Sequence, residues 1–127
     1  MEVVRRLLEA FNARDLDGFA NLTTEDFEWS PSMVAIEGEV FLGREGIETY
    51  FGRMIDAWDE FQVADGELRD LGDRVLWCGR LDGRGRISGA PVSAPLDILY
   101  GLRDGQISSM RSFLDHAAAL TAAGLQE

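Results

Sequence analysis

At 127 residues the chain can hold one hydrophobic core but not two, so it is read as a single domain over 1–127. Apolar residues at 46% and charged residues at 28% are ordinary globular usage, which excludes disordered, collagen-like and disulfide-scaffold classes. With 23 acidic against 12 basic residues, the formal net charge of -11 repels phosphate backbones and anionic lipid, so neither nucleic acid nor a membrane is an expected partner.

Every basic residue is Arg, and none clusters with others into a patch. Cys78 is the only cysteine, which is read as excluding both an intramolecular disulfide and a cysteine-ligated zinc site. Arg5 and Arg6 interrupt the first apolar residues, so no signal-peptide core is expected, and a cytoplasmic setting follows. Asn21-Leu22-Thr23 is then a chance match to a glycosylation acceptor.

In chain order, Val3, Val4, Leu7, Leu8 and Phe11 form the apolar stripe of an amphipathic helix ending near Arg14. Asp15 offers an N-cap oxygen to a short second helix that buries Leu16, Phe19 and Ala20 and ends around Leu22. Phe27 to Trp29 is a short strand stopped by Ser30-Pro31, and Met33 to Phe41 reads as a loose hairpin or lid-like loop. A third helix starts at Gly43, carries Ile47, Tyr50, Phe51, Met54, Ile55 and Trp58 on one stripe, and ends near Glu60.

The period then becomes strand-like. Four antiparallel strands are expected over Phe61 to Leu71, Arg74 to Leu81, Ile87 or Ala90 to Arg103, and Gln106 to Leu114. Asp104-Gly105 is the sharpest hairpin signal, because a two-residue turn with positive φ suits this dipeptide. Gly83 to Gly89 misses the dinucleotide fingerprint and reads as a glycine-rich hairpin. Asp115 caps a last helix that Gly124 ends. These elements give an α+β domain: a curved antiparallel sheet with the helices covering one face, which encloses a hollow.

Five segments carry a resemblance that covers nearly the whole chain. They are Glu9 to Asp15, Glu25-Asp26-Phe27-Glu28-Trp29, Gly43-Arg44-Glu45-Gly46-Ile47, Leu71-Gly72-Asp73-Arg74-Val75, and the block from Asp97 to Asp115. In this order and spacing the chain resembles the nuclear transport factor 2-like superfamily, and within it the SnoaL-like group of polyketide cyclases and ketosteroid isomerase-like proteins. The resemblance implies a conical curved antiparallel sheet packed by helices, a cystatin-like α+β barrel with one deep pocket between sheet and helices, often in a homodimer. The fold hosts isomerases, dehydratases, cyclases, epoxide hydrolases and non-catalytic binders.

Asp97 is the first candidate catalytic residue, since it interrupts the apolar strand Ala94 to Tyr100. Alternation puts Leu96, Ile98, Tyr100 and Leu102 on one face and Asp97, Leu99 and Gly101 on the other. Both faces read as buried, one by the pocket and one by a second subunit. A desolvated carboxyl there is expected to hold its proton and act as hydrogen-bond donor or general acid, as the oxyanion-hole Asp of ketosteroid isomerase does. The structural alternative is an ion pair with Arg111 or Arg80.

Arg111, on the next strand, is the second candidate, holding a carboxylate or polarising a carbonyl beside Asp97. Ile107, Ser109, Arg111 and Phe113 are expected on one face, so Arg111 points either at the pocket, where it could act in this way, or at the outer face. Ketosteroid isomerases also use a tyrosine on the first helix and a second carboxylate after the first strand; here Phe11 and Ser30 or Pro31 stand about there. Glu28 is expected to point outward, and His116, in the cap of the last helix, to be solvent-exposed. Cys78 is expected as a small buried hydrophobe. With one His and one Cys in different elements, no dedicated metal site and no cofactor are expected.

Trp29, Met33, Tyr50, Met54, Trp58, Trp77, Leu99 and Phe113 are the expected pocket wall. The leading reading is a homodimer, joined through the outer face of the sheet, that takes a hydrophobic small molecule and works as a cofactor-free isomerase, cyclase or dehydratase on a hydrophobic carbonyl compound. A non-catalytic ligand-binding or dimerising scaffold protein of the same fold is the second reading.

Overall fold

A computed structural model describes residues 2–30 and 40–125. The chain runs α1 (Glu2–Asn12), α2 (Leu16–Asn21), β1 (Thr23–Ser30), β2 (Phe41–Leu42), α3 (Gly43–Ala57), β3 (Trp58–Asp70), β4 (Arg74–Gly85), β5 (Pro91–Arg103), β6 (Gln106–Phe113) and α4 (His116–Ala123). The six strands form one strongly curled sheet in the order β2-β1-β6-β5-β4-β3. Expected as antiparallel, the sheet has one parallel pair, β1 with β6, because α2 delivers β1 alongside the last strand. The part of the expected Met33 to Phe41 hairpin before Val40 lies outside the described residues, and Phe41 enters β2.

Helix α3 stops at Ala57, earlier than the apolar stripe suggests. Trp58 takes an extended backbone and pairs with Gly85. Arg86 holds this corner: its guanidinium donates to the carbonyls of Ile55 and Trp58 and pairs with Asp59. Tertiary pairing thus outweighs the helical period at Trp58. The predicted turn at the other end is as expected, with φ of 53° at Asp104 and 79° at Gly105.

The concave face of the sheet carries the main core, covered by α1, α2 and α3. Aromatic rings fill its centre: Phe11 makes edge contacts with Trp29, Phe51 and Phe61, Phe19 stacks on Trp29 at 5.1 Å, and Trp29 meets Tyr50 at 4.0 Å. The convex face has a second, smaller core, where Ala119, Leu120 and Ala123 of α4 pack against Leu76, Leu99 and Phe113. Asp115 accepts from Ala117 N–H to start α4, and Gly124, at φ 77°, ends it.

Candidate functional site

Register decides which face each candidate occupies. Trp77, Ile98 and Ser112 lie side by side across β4, β5 and β6, and Val75, Tyr100 and Met110 form the next such row; both point into the concave core. Cys78, Asp97 and Phe113 form the alternating row, and Leu76, Leu99 and Arg111 another; these point to the convex face under and beside α4. A register shift between Gly101 and Leu102 leaves an extra residue at Ser108, so Ile107 faces inward while Ser109, Arg111 and Phe113 face outward. The bulge corrects the expectation that all four share one face.

Between sheet and helices lies an apolar cavity with about 30 Å³ of open room, enough for one or two waters. Phe11, Trp29, Tyr50, Phe61, Leu96 and Ile98 make most of its wall, and Tyr50, Tyr100 and Ser112 bring the only side-chain hydroxyls among the described lining residues. Tyr100 is 0% exposed, and its hydroxyl has no hydrogen-bond partner among the described residues. Burial pushes the phenols of Tyr100 and Tyr50 well above their usual range, with Arg14 opposing the effect at Tyr50. Both are neutral donors at ordinary pH. Phe61 also lines an open polar cleft of about 620 Å³ with Arg14, Glu60, Arg84 and Val92, and so forms the partition between cleft and cavity.

Of the expected wall, Trp29 and Tyr50 line this cavity. Met54 and Trp77 are buried in the same core, Trp58 packs at its edge, and Met33 lies outside the described residues. Leu99 and Phe113 contact α4 instead, because alternation turns them to the convex face. Glu28 is exposed, as alternation predicts.

Asp97, 4% exposed, also faces away from the cavity. Its partner is neither Arg111 nor Arg80: His116 Nδ1 is hydrogen-bonded to its Oδ2, and the Cys78 Sγ lies within 4.8 Å of both side chains. His116, whose side chain is 46% exposed, is therefore engaged at the first turn of α4 rather than simply solvated. Cys78 is half-buried, and burial first, then the Asp97 carboxylate, raises its thiol pKa. Arg111 is exposed, with its guanidinium 4.9 Å from the Phe113 ring centre.

Sequence reasoning placed His, Cys and Asp in separate elements, which they are. Their convergence depends on the β4–β5 register and on the docking of α4, and neither is a local property of the chain. Tyr100 was within reach, since alternation already set it on the face opposite Asp97.

A family model for the SnoaL-like domain matches residues 4–110. A comparison with curated proteins finds no match. Among solved structures, a nuclear transport factor 2-like protein of unknown function from Burkholderia pseudomallei is 20% identical, with a TM-score of 0.81 over 95% of this chain and 94% of that one. A candidate polyketide cyclase from Xanthomonas campestris pv. campestris is 22% identical, with a TM-score of 0.79 over 96% and 94%. A protein of ketosteroid isomerase-like fold from Catenulispora acidiphila, in complex with trimethylamine, is 20% identical, with a TM-score of 0.80 over 98% and 94%. At these identities the structural likeness establishes the fold, and with the family match over most of its length the chain belongs to the SnoaL-like family, of nuclear transport factor 2-like architecture.

Proposed function

We propose that this protein binds a small, largely apolar molecule bearing a carbonyl-type acceptor inside the curl of the sheet, with the Tyr100 hydroxyl donating to that oxygen. The observation that carries this reading is the fully buried, unpartnered hydroxyl in an otherwise apolar wall. Such a group costs about 1–3 kcal/mol until it finds an acceptor, and a ligand oxygen supplies one. The open room of about 30 Å³ is too small for such a ligand, so binding requires side chains to move. Phe61 is the natural one, standing between the cavity and the outer cleft.

Thermal unfolding of the wild type and Tyr100→Phe against apolar ketones, matched hydrocarbons and aromatic acids tests the reading. A ligand at about 100 times its dissociation constant adds roughly 2.7 kcal/mol. The expected result is a shift with ketones that Tyr100→Phe weakens about tenfold in affinity, while hydrocarbon binding is unaffected. No shift with any apolar ligand would overturn it.

An isomerase, cyclase or dehydratase working through Asp97 with Arg111 is a second reading, supported by the burial of Asp97 and its contact with an imidazole. It requires the reacting atom to approach on the convex face, because neither residue lines the cavity. Turnover of a bound ketone that survives Asp97→Asn would end this reading and leave the binding one intact. Homodimerisation through the convex face is proposed on the half-buried strip of Cys78, Leu99 and Phe113, and sedimentation at micromolar concentration tests it. A cytoplasmic setting is proposed on the free thiol of Cys78. Among the described residues no helix is long and apolar enough to cross a membrane.

A further inference from the structure

Two adjacent strands and a helix start bring a sulfur, an oxygen and a nitrogen together on the convex face. The Cys78 Sγ, an Asp97 carboxylate oxygen and a His116 ring nitrogen all lie within 4.8 Å of one another. We propose that these three side chains form a binding site for one zinc-class divalent cation, outside the ligand cavity and independent of its function.

The donor set selects the ion. One thiolate, one imidazole and one carboxylate suit zinc or cobalt(II), whereas magnesium and calcium prefer all-oxygen shells. Charge agrees as well: thiolate and carboxylate together neutralise a divalent cation, while the imidazole stays neutral. Without the ion, the buried Asp97 carboxyl group has the His116 ring hydrogen-bonded to it and the Cys78 thiol beside it. Binding sends the Cys78 thiol proton to solvent, and the neutral His116 ring meets the ion through its unprotonated nitrogen. In a tetrahedral zinc site, ligand atoms stand about 3.3–3.7 Å apart, so rotamer adjustments of about 1 Å bring the three into place.

The positions are held from below. Cys78 and Asp97 are direct cross-strand neighbours in β4 and β5, and α4 is anchored by its Asp115 cap and by Ala119 and Leu120 on the convex core. Glu67 of β3 stands opposite Cys78 in the same row and adds negative potential, which Arg69 nearby partly offsets. The half-exposed His116 side leaves a path for a water as fourth ligand.

The test strips the full chain of metal with a chelator and titrates it with Co²⁺, then Zn²⁺. Expected are one equivalent of Co²⁺ bound with thiolate-to-cobalt charge-transfer absorption and four-coordinate visible bands, displacement by Zn²⁺, and release of the thiol proton into weak buffer. Cys78→Ser should abolish the charge-transfer band, and His116→Ala should weaken binding about tenfold or more. Both variants should still melt cooperatively in chelator, His116→Ala at a lower temperature because Asp97 loses its partner, which shows that their folds persist. Absence of the charge-transfer band in the folded wild type at saturating Co²⁺, or equal metal affinity in the wild type and both variants, overturns the proposal.

Discussion

Asn12 and Val63 are joined by two hydrogen bonds: the Asn12 amide donates to the Val63 carbonyl at 2.9 Å and accepts from the Val63 N–H at 3.0 Å. The side chain thus imitates a strand neighbour and fastens the end of α1 to the inner edge of β3. Two residues later, Arg14, at φ 58°, turns the chain back and donates to the Phe61 carbonyl at 2.7 Å. Both acceptors belong to residues that line the apolar cavity, so this stitch positions its wall.

Asn12→Ala leaves the Val63 N–H and carbonyl without these partners at a half-buried edge. A loss of about 1–2 kcal/mol is expected in denaturant unfolding, with an unchanged m-value. Asn12→Asp should recover part of it by accepting from the N–H. A neutral Asn12→Ala would mean that water replaces the amide at no cost.

The same stitch shows what could be read from the chain. The run from Glu9 to Asp15 was legible as a family signature because three of its residues have separate structural duties: Asn12 and Arg14 bind β3, and Asp15 accepts from Gly18 N–H to cap α2. Helix stripes, the Asp104-Gly105 turn and the α4 cap are local in the same way, so they were legible too. The face assignment of β6 was not, because one extra residue at Ser108 inverts the alternation on one side of it. Nor was the start of β3 at Trp58, where the helical stripe continues but strand pairing with β4 prevails. The candidate site was half legible: alternation separated Asp97 from Tyr100, yet which face holds the cavity depends on where α1 to α3 pack.

Trp77 lies against a notch left by two glycines. A Cβ on Gly66 would stand 1.5 Å from Trp77 Nε1, and one on Gly79 would stand 2.4 Å from the same ring system. Gly66→Ala therefore forces the indole out of its core position and should cost at least about 1–3 kcal/mol, with a shift in tryptophan fluorescence. The double variant Gly66→Ala, Trp77→Leu should lose less than the two single effects added together, because the clash disappears with the ring. Additive losses would show that Gly66 is needed for its backbone alone.

Asp26 and Arg103 tie β1 to the β5–β6 turn. The Arg103 guanidinium grips both carboxylate oxygens, one at 3.1 Å, and Thr24 donates to Oδ1 at 2.8 Å. Arg103, with help from Thr24, holds the Asp26 pKa down to about 2. A depressed carboxylate favours the folded state above its unfolded pKa of about 3.9, and that contribution disappears as pH falls through the folded value. The melting temperature of Asp26→Asn should therefore fall slightly below the wild type at pH 5–7, by a salt-sensitive margin, and meet it between roughly pH 4 and pH 2. A difference constant down to pH 2 would show that the ion pair contributes nothing to stability.

Tyr100→Phe removes a single oxygen from a site where it has no partner among the described residues, and the ring it leaves has the same shape. Without ligand, the variant should be more stable than the wild type by about 1 kcal/mol, a rise of several degrees in melting temperature for a domain of this size. Ile98→Ala, on the same wall, provides the contrast: it enlarges the cavity and should cost about 2–5 kcal/mol. If Tyr100→Phe instead loses stability, the hydroxyl is bonded to a trapped water in the unliganded protein, and a ligand oxygen must then displace that water. The ketone preference of the wild type would shrink accordingly, because the ligand would exchange one hydrogen bond for another rather than satisfy an unpaired donor.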